Sequence, residues 1–173
     1  MDERTLKSER IYEGKILNLR VDTVELPDKK YSKREIVEHT GAAAVVPLTK
    51  DGRVVLVKQF RKPVEAELFE IPAGRLEAKE EPEACARREL AEETGYTTDG
   101  LEKLIDYYTS PGFSNETIHI YAARELVEGE ANPDEDEYLE VFHFTLEEAL
   151  TMIRKGEIKD SKTIVGLLLV AQT

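Results

Sequence analysis

Apolar and polar positions change rhythm several times along the chain, and each change marks an element. From Leu17 to Val21 they alternate with period two, slip phase near Asp22-Thr23 and stop at Pro27-Asp28. Tyr31 to Val37 returns as a second strand, so residues 9–39 predict a β-hairpin. Ala42 to Leu48 is unbroken apolar sequence, the pattern of a strand buried on both faces. Asp51-Gly52 signals a turn, with Val54 to Phe60 as the returning strand. Leu68 to Ile71 is short and extended, closed by Pro72-Ala73-Gly74. A helix is predicted from Pro82, suited to a first helical turn, to Gly95, suited to a left-handed cap. Strands Leu101 to Thr109 and Thr117 to Ala123 flank the turn-rich stretch 110–116. After the acidic stretch 129–137 and a strand from Leu139 to Phe144, Thr145 and Glu148 form a capping box for a helix over Glu147 to Arg154. A last helix, starting at Asp160 or Ser161, carries the apolar block Ile164 to Val170.

Strands on both sides of one central helix, with helices at the end, predict an α+β fold. The strands before Ala42 have little local sequence to pack on. They read as an N-terminal antiparallel β arm, residues 1–40, ahead of a main domain over 41–173. The arm is expected to pack on a second copy of the chain, making a homodimer.

Composition narrows the partners. Of the 173 residues, 36 are Asp or Glu and 24 Lys or Arg, a net charge of −12. Such a surface repels nucleic acid and anionic membranes, and an anionic substrate needs cations gathered locally. The single cysteine, Cys85, excludes an intramolecular disulfide and a cysteine-based zinc site. The first ten residues contain no apolar run, and the stretch 164–171 is far too short to span a bilayer. A cytoplasmic location is expected. His39, His119 and His143 are scattered without ligand spacing.

The chemistry concentrates in residues 74–96. Arg88-Glu89-Leu90-Ala91-Glu92-Glu93 places Glu89, Glu92 and Glu93 three and four positions apart, on one helix face about 100° wide. Two carboxylates about 4 Å apart repel by roughly 4 kcal/mol at an effective dielectric of 20, a cost that a divalent cation removes. An acidic helix is otherwise a solvated face, and only the spacing separates the two readings.

Gly74, then Glu80 after five residues, then Arg88-Glu89-Leu90, Ala91, Glu92-Glu93, Thr94 and Gly95 after seven more, resemble the Nudix box in full. Tyr96 stands where an aliphatic residue is usual. The resemblance implies the Nudix fold, a mixed β-sheet sandwiched by helices, and hydrolysis of a nucleotide-sugar diphosphate with Mg²⁺, or alternatively Mn²⁺. It implies Glu89, Glu92, Glu93 and the backbone carbonyl of Ala73 as metal ligands, with Glu92 also among the catalytic groups and Arg88 orienting the glutamates. Gln59-Phe60-Arg61, the run Glu70-Ile71-Pro72-Ala73-Gly74, and Pro111 lying 15 residues after Tyr96 are similar to the ADP-ribose pyrophosphatase subfamily.

That further resemblance implies cleavage of ADP-ribose to AMP and ribose 5-phosphate. It implies Arg61 on a phosphate, and Arg34 and Glu35 of the arm with Gly112 and Glu116 of the 110–116 loop on the nucleotide sugar. The general base would be a glutamate of the acidic stretch, Glu137 or Glu135. With no Trp in the chain, adenine stacking falls to Tyr12, Tyr31 or Phe60. The alternatives are a Nudix pyrophosphatase on another nucleoside diphosphate sugar and a non-catalytic ADP-ribose sensor. The complete box and the lack of a basic domain count against the sensor. A calcium-binding loop at 129–137 lacks the glycine and spacing of an EF-hand.

Overall fold

Three strands open the chain, β1 (Arg4–Glu13), β2 (Leu17–Glu25) and β3 (Tyr31–His39), joined antiparallel in that order. The β2–β3 hairpin follows the sequence reading, with Leu17 facing His39 and Val24 facing Ser32. Most of β1 lies outside that reading. All ten of its residues are exposed, so no face had to be apolar and the sequence carries no alternation to read. β1 pairs with β2 through two register shifts, between Thr5 and Lys7 and between Arg10 and Tyr12.

The structure is a computed structural model that describes residues 2–132 and 138–172. It divides into two compact units. One comprises Met1–Gly41 with Tyr107–Thr117, the other Ala42–Asp106 with Ile118–Thr173.

The second unit is built on β4 (Ala42–Pro47). One edge of β4 is taken by β7 (Ala73–Arg75), antiparallel, and the other by β10 (Thr117–Arg124), parallel. β9 (Gly100–Tyr108) completes this four-stranded mixed sheet. Both faces of β4 are covered as well. On one, Ala43 and Val45 cluster with Cys85, Ala86 and Leu90 of helix α1 (Pro82–Thr94). On the other, helix α3 (Ser161–Val170) approaches so closely that a Cβ added to Gly166 would lie 2.7 Å from Val46 Cγ2. Successive residues of a strand point to opposite faces, so the two helices require an unbroken apolar run. Burial of a side chain such as Leu90, fully enclosed here, contributes roughly 1.5–3 kcal/mol.

β5 (Arg53–Arg61) corrects one expectation. It does not return along β4 but joins a separate sheet, between β12 (Glu140–Thr145) and β6 (Ala66–Glu70). Asp51-Gly52 does turn the chain, with Thr49 N–H donating to the Arg53 carbonyl at 2.9 Å. Yet it closes on an isolated Leu48–Val54 bridge instead of a ladder, because both edges of β4 are already occupied. Two short strands, β8 (Tyr96–Thr97) and β11 (Val127–Glu128), pair antiparallel just beyond α1. Helix α2 (Leu146–Lys155) follows β12 directly, and its Thr145–Glu148 capping box is formed reciprocally as the sequence predicts. No helix among the described residues is long and apolar enough to cross a membrane.

Candidate active site

The box residues are held by β7 and α1. β7 is pinned to β4 by pairing of Gly74 with Ala43, and Val45 N–H donates to the Pro72 carbonyl at 2.9 Å. α1 starts at Pro82 and ends at Gly95, whose φ of 75° is the left-handed conformation that glycine adopts without strain. Glu89 and Glu93 are buried, at 8% and 4% exposure, while Glu92 is half-buried.

Arg88 gathers the acids of the box. Its Nε and Nη2 donate to the two oxygens of Glu80 at 2.9 and 3.1 Å, and its Nη1 donates to Glu89 Oε1 at 2.6 Å and Glu92 Oε2 at 2.9 Å. The Arg88 hydrogen bonds hold the Glu80 carboxyl down at about 2. Glu80 also accepts from the Glu77 amide at 2.9 Å, which ties the loop before α1 to the same arginine. Arg88 therefore orients the glutamates, as its place in the motif suggests.

Gly74 provides a cradle. A Cβ at this position would stand 1.7 Å from Glu89 Oε1, so the Glu89 carboxylate rests directly on glycine backbone, next to Ala73. Among the described residues, no three His, Cys, Asp or Glu side chains are already gathered as a metal cluster. The donor set nevertheless fits a hard divalent cation. Carboxylates and a backbone carbonyl are the oxygen ligands Mg²⁺ takes, and three of the box carboxylates share the Arg88 guanidinium.

Arg61 stands at the end of β5. Its Nε and Nη2 donate to the two oxygens of Glu70, both at 2.8 Å, and Glu70 is 2% exposed. The Glu70 hydrogen bonds raise the Arg61 pKa most, burial opposes this, and the charges of Glu70, Glu93 and Asp160 add to the rise. Arg61 thus lies within electrostatic reach of the box. Glu70 is shared with Lys162, whose Nζ donates to Glu70 Oε2 and, at 3.0 Å, to Asp160 Oδ1. Asp160 caps α3 through the Thr163 amide and hydroxyl, at 3.0 and 2.6 Å, and Thr163 Oγ1 accepts from the Ile71 amide at 2.8 Å. Sequence reasoning missed this network. Lys162 follows a helix cap with no pattern to distinguish it, and Glu70 read only as part of the run into the box.

The remaining candidates, Phe60 of β5 apart, lie in the first unit. Arg34 is occupied by Glu3, donating from Nε at 2.9 Å and Nη2 at 2.7 Å, while Glu35 is exposed on β3. The 110–116 loop attaches to the same strand. Val37 N–H donates to the Phe113 carbonyl at 2.8 Å, and the His39 amide donates to Asn115 Oδ1 at 2.8 Å. Glu116 accepts from Thr109 Oγ1 at 2.8 Å, and Gly112 is exposed. Tyr12, Tyr31 and Phe60 are all more than half exposed.

Glu135 and Glu137 lie outside the described residues. The start of their stretch is tied to the box, because the Asn132 amide donates to the Glu92 carbonyl at 2.9 Å. A Cβ on Gly95 would fall 2.7 Å from the Gly129 carbonyl oxygen.

A cavity of about 770 Å³ is lined by residues including Lys50, Arg53, Tyr96, Glu128 and His143, and by none of the box glutamates. Two pairs of its polar groups are bonded, Tyr96 Oη with His143 Nε2 at 3.0 Å and Arg53 Nε donating to Asp51 at 3.1 Å.

Residues 38–165 match the model of the NUDIX domain, and residues 3–37 match that of the nucleoside diphosphate sugar hydrolase N-terminal domain. The chain is 51% identical to an ADP-ribose pyrophosphatase of Bacillus subtilis (strain 168), over 96% of this chain and 91% of that one. It is 48% identical to a methanol dehydrogenase activator of Bacillus methanolicus, over 96% and 91%. Among solved structures, one described as an ADP compounds hydrolase superposes with a TM-score of 0.88 at 19% identity, covering 99% of this chain and 94% of that one. Glu89 of α1 on its glycine cradle, the mixed sheet around β4 and the matching family model agree, and the chain belongs to the Nudix family.

Proposed function

We propose that the protein hydrolyses the diphosphate bond of ADP-ribose, giving AMP and ribose 5-phosphate, with Mg²⁺ or alternatively Mn²⁺. The observation that carries this reading is Glu89 seated on the Gly74 backbone with Glu93 within electrostatic reach of Arg61. Carboxylates suited to a divalent cation and a guanidinium suited to a phosphate oxygen are thus within electrostatic reach of one another, which supports the reading. The 51% identity to a protein named ADP-ribose pyrophosphatase supports the choice of substrate.

Glu89, Glu92, Glu93 and the Ala73 carbonyl would hold the metal. When bound, a divalent cation neutralises diphosphate charge and lowers the pKa of a water molecule. Arg61 holds a phosphate oxygen; its bonds to Glu70 use Nε and Nη2, which leaves Nη1 to reach toward substrate. Glu137 or Glu135 takes the proton from the attacking water. The water oxygen adds to phosphorus, the bridging P–O bond breaks, and the second phosphate departs with that oxygen. The bond from Asn132 to Glu92 supports a base from this stretch, since it starts the stretch beside the metal ligands. Glu92 contributes to catalysis through the same ligand set.

The arm, residues 1–40, joins two copies of the chain into a homodimer, ahead of a hydrolase domain over 41–173. Leu6, Ile11 and Tyr12 of β1 and Tyr31 of β3 are about half exposed or more, which supports a covering partner. Arg34 and Glu35 on the arm, with Gly112 and Glu116, contact the nucleotide sugar. The protein acts in the cytoplasm.

The test is product analysis on ADP-ribose with Mg²⁺ and with chelator. AMP and ribose 5-phosphate are expected with the metal alone, and no AMP at millimolar Mg²⁺ sinks the substrate assignment. Glu93→Gln should lower turnover about a thousandfold with an unchanged circular dichroism spectrum. A second reading, hydrolysis of another nucleoside diphosphate sugar, is favoured by the N-terminal family match over residues 3–37. GDP-mannose in the same assay separates the two.

A further inference from the structure

Lys162 has no place in the reaction as described, yet it is the most enclosed cation described above. Its side chain is 14% exposed, and it sits between Glu70, at 2%, and Asp160, at 15%. Burying an ammonium is costly unless it is paired and hydrogen-bonded. Here both partners are in place, and both lead to the reaction site. One path runs from Lys162 Nζ to Glu70 Oε2, the oxygen that also accepts from Arg61 Nη2 at 2.8 Å. The other runs from Lys162 through Asp160 and Thr163 to the amide of Ile71, two residues ahead of Ala73.

We propose that Lys162 is a positioning residue for diphosphate binding: through Glu70 it fixes the orientation and the free charge of the Arg61 guanidinium beside Glu93. The assignment rests on the reading of Arg61 as a diphosphate ligand. Glu70 alone would compete with the substrate for Arg61, since a bidentate carboxylate is the partner the guanidinium fork fits best. Lys162 takes part of that carboxylate's charge. Arg61 then stays oriented by two short bonds without being neutralised by them, and one of its edges remains electrostatically available to a phosphate oxygen. Burial pushes the Glu70 carboxyl up, but the Arg61 hydrogen bonds and the Lys162 charge more than offset this and leave it lowered. The anion between the two cations is therefore charged throughout the working range. This role asks nothing of Lys162 at the reacting atoms. It acts on substrate affinity and leaves the chemical step to others.

A double-mutant cycle tests the proposal, with steady-state kinetics on ADP-ribose and calorimetric binding of a non-hydrolysable ADP-ribose analogue. Lys162→Met is expected to raise KM and the analogue Kd about tenfold while kcat stays within about twofold. Lys162→Arg, which keeps the charge, restores most of the loss. In an Arg61→Ala background the same Lys162→Met change should cost less than about twofold, because the group it positions is gone. Should Lys162→Met fail to fold, Lys162→Gln, which keeps a donor for Glu70 without the charge, takes its place in the cycle. If Arg61→Ala raises KM but Lys162→Met leaves it unchanged, or costs the same factor in both backgrounds, the positioning role is overturned and the Arg61 reading stands. If Arg61→Ala leaves KM unchanged, the Arg61 reading fails and the proposal falls with it.

Discussion

Arg88 and Arg61 each anchor a knot of acidic side chains, and the two knots share their cations differently. Arg61 and Lys162 face Glu70 and Asp160, two cations against two carboxylates. Arg88 is shared among Glu80, Glu89 and Glu92, one guanidinium touching three carboxylates. The first knot is complete. The second crowds its acids onto the wall where Glu93 is also buried. Like charges about 4 Å apart repel by roughly 4 kcal/mol at an effective dielectric of 20, a repulsion that a divalent ion bound among these acids would relieve. Under the proposed function the two clusters would do different work, the Glu70 knot aiming Arg61 and the Arg88 knot gathering acids for a cation.

The largest expected effect breaks the Glu70 knot. Glu70→Gln leaves two cations facing one carboxylate in a buried site. It should lower the unfolding free energy by about 3 kcal/mol, read from the denaturant midpoint. A loss below about 1 kcal/mol would mean that the network contributes little beyond surface pairing.

Disturbing the Arg88 knot should separate activity from stability. Gly74→Ala pushes the Glu89 carboxylate off its cradle, where the added Cβ would lie 1.7 Å from Oε1. The far end of a flexible side chain can move at small cost. Turnover is expected to fall about a hundredfold while stability changes by less than about 1 kcal/mol. Equal activity in the variant would remove Glu89 from the ligand set.

The smallest effect is a pH signature. Hydrogen bonds from Arg88 depress the Glu80 carboxyl from its ordinary value of 4.5 to about 2. A depressed carboxylate contributes stability that is fully present above about 4.5 and lost as pH falls toward about 2. Thermal melts across this acid limb should therefore show a steeper decline for the native chain than for Glu80→Gln, and parallel limbs would detach Glu80 from the knot.

Much of this site was legible because its spacing is local. Glu89, Glu92 and Glu93 share a helix face by periodicity alone, and Pro82 and Gly95 bound that helix by backbone preference. The faces of β4 were legible for the same reason, as the unbroken apolar run reports helices on both sides. The pairing of β4 was not. A turn at Asp51-Gly52 announces a reversal without naming a partner, and the parallel partner β10 lies far along the chain. Lys162 was invisible because its meaning depends on Glu70 and Arg61, which three-dimensional packing alone brings to it. β1 could not be read because an exposed strand carries no hydrophobic alternation.

Cys85 turns the box into its own reporter. It is the chain's one cysteine, fully enclosed between α1 and the β4 sheet, and burial pushes its thiol up to about 12. Its Sγ lies 3.5 Å from the Gly74 carbonyl oxygen and 3.4 Å from Arg88 Nη2. Only a thiolate reacts readily with an alkylating agent, so labelling must wait for the helix to lift from the sheet. The rate of alkylation is then a clock for local opening. Because the thiol touches the Gly74 carbonyl and the Arg88 guanidinium, it counts openings of the wall that α1 and β7 form, with no probe built into the protein.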